Sequence, residues 1–237
     1  MKVIENKNIL VIAAHPDDEI LGCGGTLNRF SEEGFDIHIL ILGEGITARQ
    51  DVRKPDEVRE KIEQLSKQAE VSANIIGAKS VEISNFPDNR FDTIPLLDIV
   101  KKVEQKKKDI QPAIVFTHNS HDLNIDHRIT SKAVLTACRP LYKESVEKIL
   151  AFEILSSTEW QVQQSQTVFL PNYFVSLSDK HIETKISAFK SYISEIRAMP
   201  HPRSYEAIRT LSRWRGIYSG CKYAEAFEVI RCILPFS

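Results

Sequence analysis

Four residues able to do chemistry stand together near the start of the chain: His15, Asp17, Asp18 and Glu19, in Ala14-His15-Pro16-Asp17-Asp18-Glu19. They directly follow the apolar run Ile9-Leu10-Val11-Ile12-Ala13. Imidazole nitrogen and carboxylate oxygen both bind zinc, and a carboxylate left beside a metal can take a proton from its bound water. A second segment, Thr117 to Arg128, holds His118, His121 and His127, three of the seven histidines. Two ligands from one segment and one from the other make an open three-ligand site, with a coordination position left for water. Helix capping accounts for the acids at 17–19, but not for His15 or for the second His-rich segment. Single histidines have plainer uses. His38 reads as structural inside a strand, His181 as a surface residue opening a helix, and His118 and His121 as loop residues or partners of a ligand.

These segments need elements to bring them together. Apolar runs predict strands over 8–14, 36–42, 80–84, 113–117, 149–155, 173–177 and 226–233. Amphipathic runs predict helices over 20–33, 56–76, 94–110, 126–138, 180–196 and 205–218. Gly34, Gly77 and Pro140 act as stops, and Pro55 and Pro95 stand at helix starts. Such alternation predicts an α/β fold, a mainly parallel sheet with helices on both faces. In that arrangement the segments after the first, second and fourth strands open on one edge, where open α/β sheets bind ligands. Gly22-Cys23-Gly24-Gly25 lacks the GxGxxG spacing and falls inside a helix, so it reads as close helix–sheet packing rather than a dinucleotide loop.

Composition sets the outer limits. The 237 residues, 42% hydrophobic and 27% charged, suit one domain over 1–237. A net charge of -1 gives no footprint for nucleic acid. The run Lys101, Lys102, Lys106, Lys107 and Lys108 reads as the solvated end of a helix. Cys23, Cys138, Cys221 and Cys232 form no CxxC pair and read as reduced thiols. No signal-peptide layout or membrane span is visible, so the expectation is a cytoplasmic protein, with peripheral membrane contact and homo-oligomers left open.

With these residues in place, the chain resembles the PIG-L/LmbE-like family of metal-dependent N-deacetylases. Ala14 to Glu19 matches that family's AHPDDE signature, and Asn124-Ile125-Asp126-His127 resembles its second motif, which ends in Asp-His. His201-Pro202-Arg203-Ser204 and Tyr223-Ala224-Glu225-Ala226-Phe227 resemble further segments of bacterial members. The resemblance implies a Rossmann-like fold, zinc held by His15, Asp18 and His127, and Asp17 as general base. It implies a substrate that is an N-acetylated amino sugar, small or within a glycolipid precursor. Asp126 would orient a ligating imidazole, with helix capping as its simpler use. Arg49 and Asp88 would bind sugar hydroxyls, and Arg203 could face a phosphate. Members often carry His where this chain has Asn124, which donates a hydrogen bond but delivers no proton. His121, His118 and His201 are then candidate acids, unless Asp17 shuttles the proton itself, the simpler route. Iron, cobalt and manganese also suit the donor set. The competing readings are an amidase for a non-sugar N-acyl amine and a nucleotide-sugar-binding module without turnover.

Overall fold

The computed structural model describes residues 6–142 and 144–234. Seven strands form one sheet: β1 (Asn8–Ala13), β2 (Asp36–Gly43), β3 (Ser80–Phe86), β4 (Ile114–His118), β5 (Lys148–Phe152), β6 (Tyr173–Leu177) and β7 (Tyr223–Cys232). Their order is β3-β2-β1-β4-β5-β7-β6. The first five run parallel, and β7 lies antiparallel between β5 and β6. This is the α/β architecture expected from the alternation of apolar and amphipathic runs.

β1 shows why its apolar run is continuous. Successive side chains point to opposite faces of a strand, and both faces are covered. Ile9, Val11 and Ala13 pack with residues of α1 (Asp18–Glu32), α2 (Arg59–Ile76) and α5 (Asp179–Phe189). Leu10, Ile12 and Ala14 pack with α3 (Leu96–Ile110) and α4 (Ile125–Ala137). A Cβ on Gly22 would stand 2.5 Å from the Phe152 ring, and one on Gly25 2.7 Å from Leu177. The glycines of 22–25 therefore let α1 lie against the sheet.

Three expectations need correction. The helix read over 180–196 ends at Phe189, because the next turn places Tyr192 and Glu195 in the interior and leaves Ile193 70% exposed. Tertiary contacts override the apolar stripe that ran on to Ile196. The last strand begins at Tyr223 rather than Ala226, because Glu225 sits buried inside it. Its carboxylate accepts the Gly25 and Thr26 amides and pairs with Lys185 at 2.6 Å. The lysines near the end of α3 are not merely solvated: Lys102 and Lys106 pair with Glu82, and Lys107 with Glu144. The final helix, α6 (Tyr205–Ser219), is capped by Ser204. Among the described residues no helix is long and apolar enough to cross a membrane.

Candidate active site

Because β1, β2 and β4 are parallel neighbours, the loops after them meet at one sheet edge. The loop after β1 turns sharply into α1, with Asp17 at φ 111°. A non-glycine residue there stores about 1–3 kcal/mol of strain. Glu19 helps hold the turn by accepting the Asp17 amide at 3.1 Å. Asp18 Oδ2 accepts the His15 amide at 2.8 Å, which fixes its carboxylate under the imidazole.

His15 and His127 converge on that carboxylate. Asp18 Oδ2 lies 3.4 Å from His15 Nδ1 and 3.3 Å from His127 Nε2. The far nitrogen of each ring is held by another carboxylate: His15 Nε2 by Asp126 at 3.0 Å, His127 Nδ1 by Asp122 at 3.0 Å. Metal-bound imidazoles are oriented this way. Donors ~2.0–2.1 Å from a tetrahedral zinc stand roughly 3.3 Å apart, so these separations suit an ion of that size. Asp18 Oδ1 is buried with no hydrogen-bond partner, a further sign of a cation-ready group. His15, Asp18 and His127 thus fit a divalent metal. His15, Asp88 and Asp126 also approach one another. That set offers one imidazole, whose Nε2 already faces Asp126, while Asp126 accepts the Phe91 amide and Asp88 the Ala48 amide. The first set is the better metal centre.

The electrostatics separate like residues. Burial opposes charge on His127, but Asp18 and Asp122 outweigh it and raise its pKa to about 9. His118 stacks on it at 4.0 Å, and burial and His127 together drive His118 well below the usual imidazole range. Its Nε2 accepts the Ala14 amide at 2.8 Å, so it supports the β1 loop. Burial pushes the Asp17 carboxyl well up, against the pull of Arg203, and Asp18, Glu195 and Glu19 add to the rise. Arg203 Nη1 lies 3.1 Å from Asp17 Oδ2, an ion pair lacking the alignment of a hydrogen bond.

A cleft of about 170 Å³ opens over this centre, lined among others by His15, Asp17, Arg49, Asp88, Asn124, Glu195 and Arg203. Arg49 pairs with Glu195 rather than with Asp88. Asn124, not Asp126, caps α4: its Oδ1 accepts the Asp126 amide at 2.8 Å, and its Nδ2 donates to Asn89 at 2.9 Å. His121 is exposed beside Ser120 and does not line the cleft. His201 accepts the Arg203 amide at 3.0 Å and stands edge-on to Trp160.

Residues 10–138, more than half of the chain, match the family model PIG-L, GlcNAc-PI de-N-acetylase. The chain belongs to the PIG-L family. A relative in it, the diacetylchitobiose deacetylase of Thermococcus kodakarensis, is 25% identical over 236 residues, 94% of this chain and 83% of the relative. The N,N'-diacetylchitobiose deacetylase of Pyrococcus horikoshii superposes with a TM-score of 0.75 at 22% identity, over 98% of this chain and 88% of that one. GalB, the 4-carboxy-2-hydroxymuconate hydratase of Pseudomonas putida, superposes with a TM-score of 0.74 at 20% identity, over 98% and 99% of the two chains. One fold thus carries both a deacetylase and a hydratase, and function has to be argued from the site.

Sequence reasoning gave no role to Asp122, Glu195 or Tyr192. Asp122 is legible in retrospect as an acid five positions before His127; Ser157 and Thr158 bind its carboxylate. Glu195 and Tyr192 lie in a segment that carries no motif, and Tyr192 donates to Glu19 at 2.5 Å.

Proposed function

We propose that this PIG-L family member is a zinc-dependent N-deacetylase that removes acetyl from an N-acetylated amino sugar, free or within a glycoconjugate precursor, with 1–237 acting as one domain. One observation carries the reading: two imidazoles face a single Asp18 oxygen while a carboxylate holds the far nitrogen of each. His15, Asp18 and His127 would hold the metal. When bound, a divalent ion supplies a Lewis acid that brings its water to a pKa of about 7 and polarises an acyl carbonyl. Two nitrogens and one oxygen favour zinc, though iron or cobalt would accept the same donors.

The chain's own groups do the rest. Asp17, desolvated and in the cleft, takes the proton of the attacking water and returns it to the leaving amine. Asn124 has no proton to give, and His121 stands outside the cleft, so the shuttle needs no further acid. Asp126 and Asp122 keep the imidazoles in one tautomer. Asp88 and Arg49 both line the cleft and would meet sugar hydroxyls. The activity of the two diacetylchitobiose deacetylases named above supports an amino-sugar substrate.

The test is acetate release from the N-acetylglucosamine methyl glycoside, N,N'-diacetylchitobiose and non-sugar N-acetyl amines, before and after chelation and with zinc restored. Release from the sugars, lost on chelation and regained with zinc, is expected. Release indifferent to the chelator, or confined to the non-sugar amides, contradicts the reading.

A further inference from the structure

Loop residues 190–204 carry two charged groups into the cleft, Glu195 and Arg203. Glu195 lies nearly buried, at 5% exposure. Both of its oxygens are engaged. Oε1 accepts from Arg49 and, at 2.7 Å, from the Ser194 hydroxyl. Oε2 accepts from Arg203 Nη1 at 2.9 Å. Arg203 is bound on two further sides, by Asp17 Oδ2 at 3.1 Å and by the Ser156 hydroxyl at 2.8 Å from its Nε. Each arginine lining the cleft therefore already faces a cleft carboxylate. Along the same lining, Asp17, Asp88 and Glu195 stand against Arg49 and Arg203.

This matters for what can extend from the reacting sugar. A phosphate or carboxylate is recognised in a protein by unengaged guanidinium forks or ammonium groups. Here an anion at this wall must displace Glu195 from its guanidiniums or sit beside it, and like charges juxtaposed at an interface cost several kcal/mol. Glu195 is also hard to neutralise. Burial works against its charge, but the Ser194 hydroxyl, Arg49 and Arg203 outweigh it and hold the carboxyl below the usual range. An uncharged saccharide, by contrast, can hydrogen-bond the outer edges of both ion pairs without breaking them.

We propose that Glu195 is a specificity determinant. By occupying both guanidiniums of this wall, it sets the cleft for amino sugars whose remaining groups are uncharged and against phosphorylated or carboxylated ones. The proposal rests on the reading of the cleft as an amino-sugar site, and it assigns Arg203 to Asp17 and Glu195 rather than to a substrate phosphate.

Equilibrium binding tests it independently of turnover. The zinc-loaded full chain is titrated with methyl glucosaminide, glucosamine 1-phosphate and glucosamine 6-phosphate, none of which has an acetyl group to lose. The wild type is expected to bind the uncharged glycoside at least about tenfold more tightly than either phosphate, a difference of about 1.4 kcal/mol. Glu195→Gln keeps the shape, removes the carboxylate that engages both guanidiniums and is expected to shrink that ratio by about tenfold, through tighter phosphate binding at Arg49 and at the side of Arg203 turned from Asp17. Arg49→Gln serves should the buried substitution unfold the chain, since Arg49 is 46% exposed. In it the discrimination against phosphate is expected to persist or grow, because Arg49 is not a free anion partner. Equal or tighter phosphate binding by the wild type, an unchanged ratio in Glu195→Gln, or a selective loss of phosphate affinity in Arg49→Gln overturns the proposal. So does failure of all three sugars to bind. Binding with the predicted ratios but no acetate release from any N-acetyl sugar would instead count against the deacetylase reading alone.

Discussion

On the side of the cleft built by the loops after β1 and β4, the acids and imidazoles meet partners from the same two loops. Asp18, His15, His127, Asp122 and Asp126 meet one another across two short segments, braced from outside by Ser157 and Thr158 on Asp122 and the Phe91 amide on Asp126. On the other side the partners come from afar. Arg49 follows β2 while Glu195 and Arg203 lie past α5, and Tyr192 reaches Glu19 across 173 positions of chain. On the proposed function the first side is a ligand cradle, in which carboxylates orient imidazoles. The second is a charge wall that pulls on Asp17 and, on the proposal above, limits what fits beside it. The difference predicts that substitutions on the first side abolish chemistry or metal binding, while those on the second shift pH dependence, selectivity or stability.

The largest effect belongs to Asp17, where the two sides meet. Asp17→Asn should lower kcat by about 10²–10⁴, the range of a lost general base, with zinc affinity retained in a metal titration. Should zinc be lost along with activity, Asp17 is a ligand and the cradle has been drawn too small. Next comes Asp122→Asn, which should weaken zinc binding by about 10–100-fold, as loss of a ligand-orienting carboxylate does. Competition with a chelator measures this, and unaltered affinity would detach Asp122 from the cradle.

On the charge wall the effects are smaller and have a sign. The Arg203 guanidinium pulls the Asp17 carboxyl down against burial. Arg203→Gln removes that pull, so the acid limb of the kcat–pH profile should move to higher pH. A limb that stays in place, or moves down, would show that Arg203 does not act on Asp17. Tyr192→Phe should cost about 1–3 kcal/mol by leaving Glu19 Oε1 without its buried donor, read as a lowered Tm. Burial raises Glu19 from 4.5 to about 7, and the Tyr192 hydroxyl opposes the rise. A carboxyl raised in the folded state adds stability that is full below pH 4.5 and declines as pH climbs through about 7. Without the tyrosine hydroxyl the decline should extend to higher pH, which denaturant titrations across pH 4–9 can follow.

The same division explains what was legible in the sequence. His15, Asp18, Asp126 and His127 lie in segments whose residue types and place after a strand already point to a metal site, while the resemblance to the PIG-L/LmbE-like family indicated which of them would ligate. That the loops after β1, β2 and β4 share one edge was readable because apolar strand runs alternate with amphipathic helix runs, the pattern of a mainly parallel sheet. Residues 190–196 resisted reading for a physical reason. Its stripe of Ile182, Ile186, Phe189 and Ile193 suits a continuing helix, yet Ile193 faces solvent because Tyr192 and Glu195 find buried partners. No local pattern encodes a partner that sits more than 140 positions away. Asp122 falls between the cases: it stood in a segment already singled out, but only the fold shows its oxygen against His127.

Zinc titration of the metal-stripped full chain, beside His127→Ala, tests the central claim most directly. One tightly bound ion per wild-type chain is expected, with loss of that binding in a variant whose circular dichroism and Tm show it still folded. A folded His127→Ala protein that binds zinc as tightly as the wild type would contradict it.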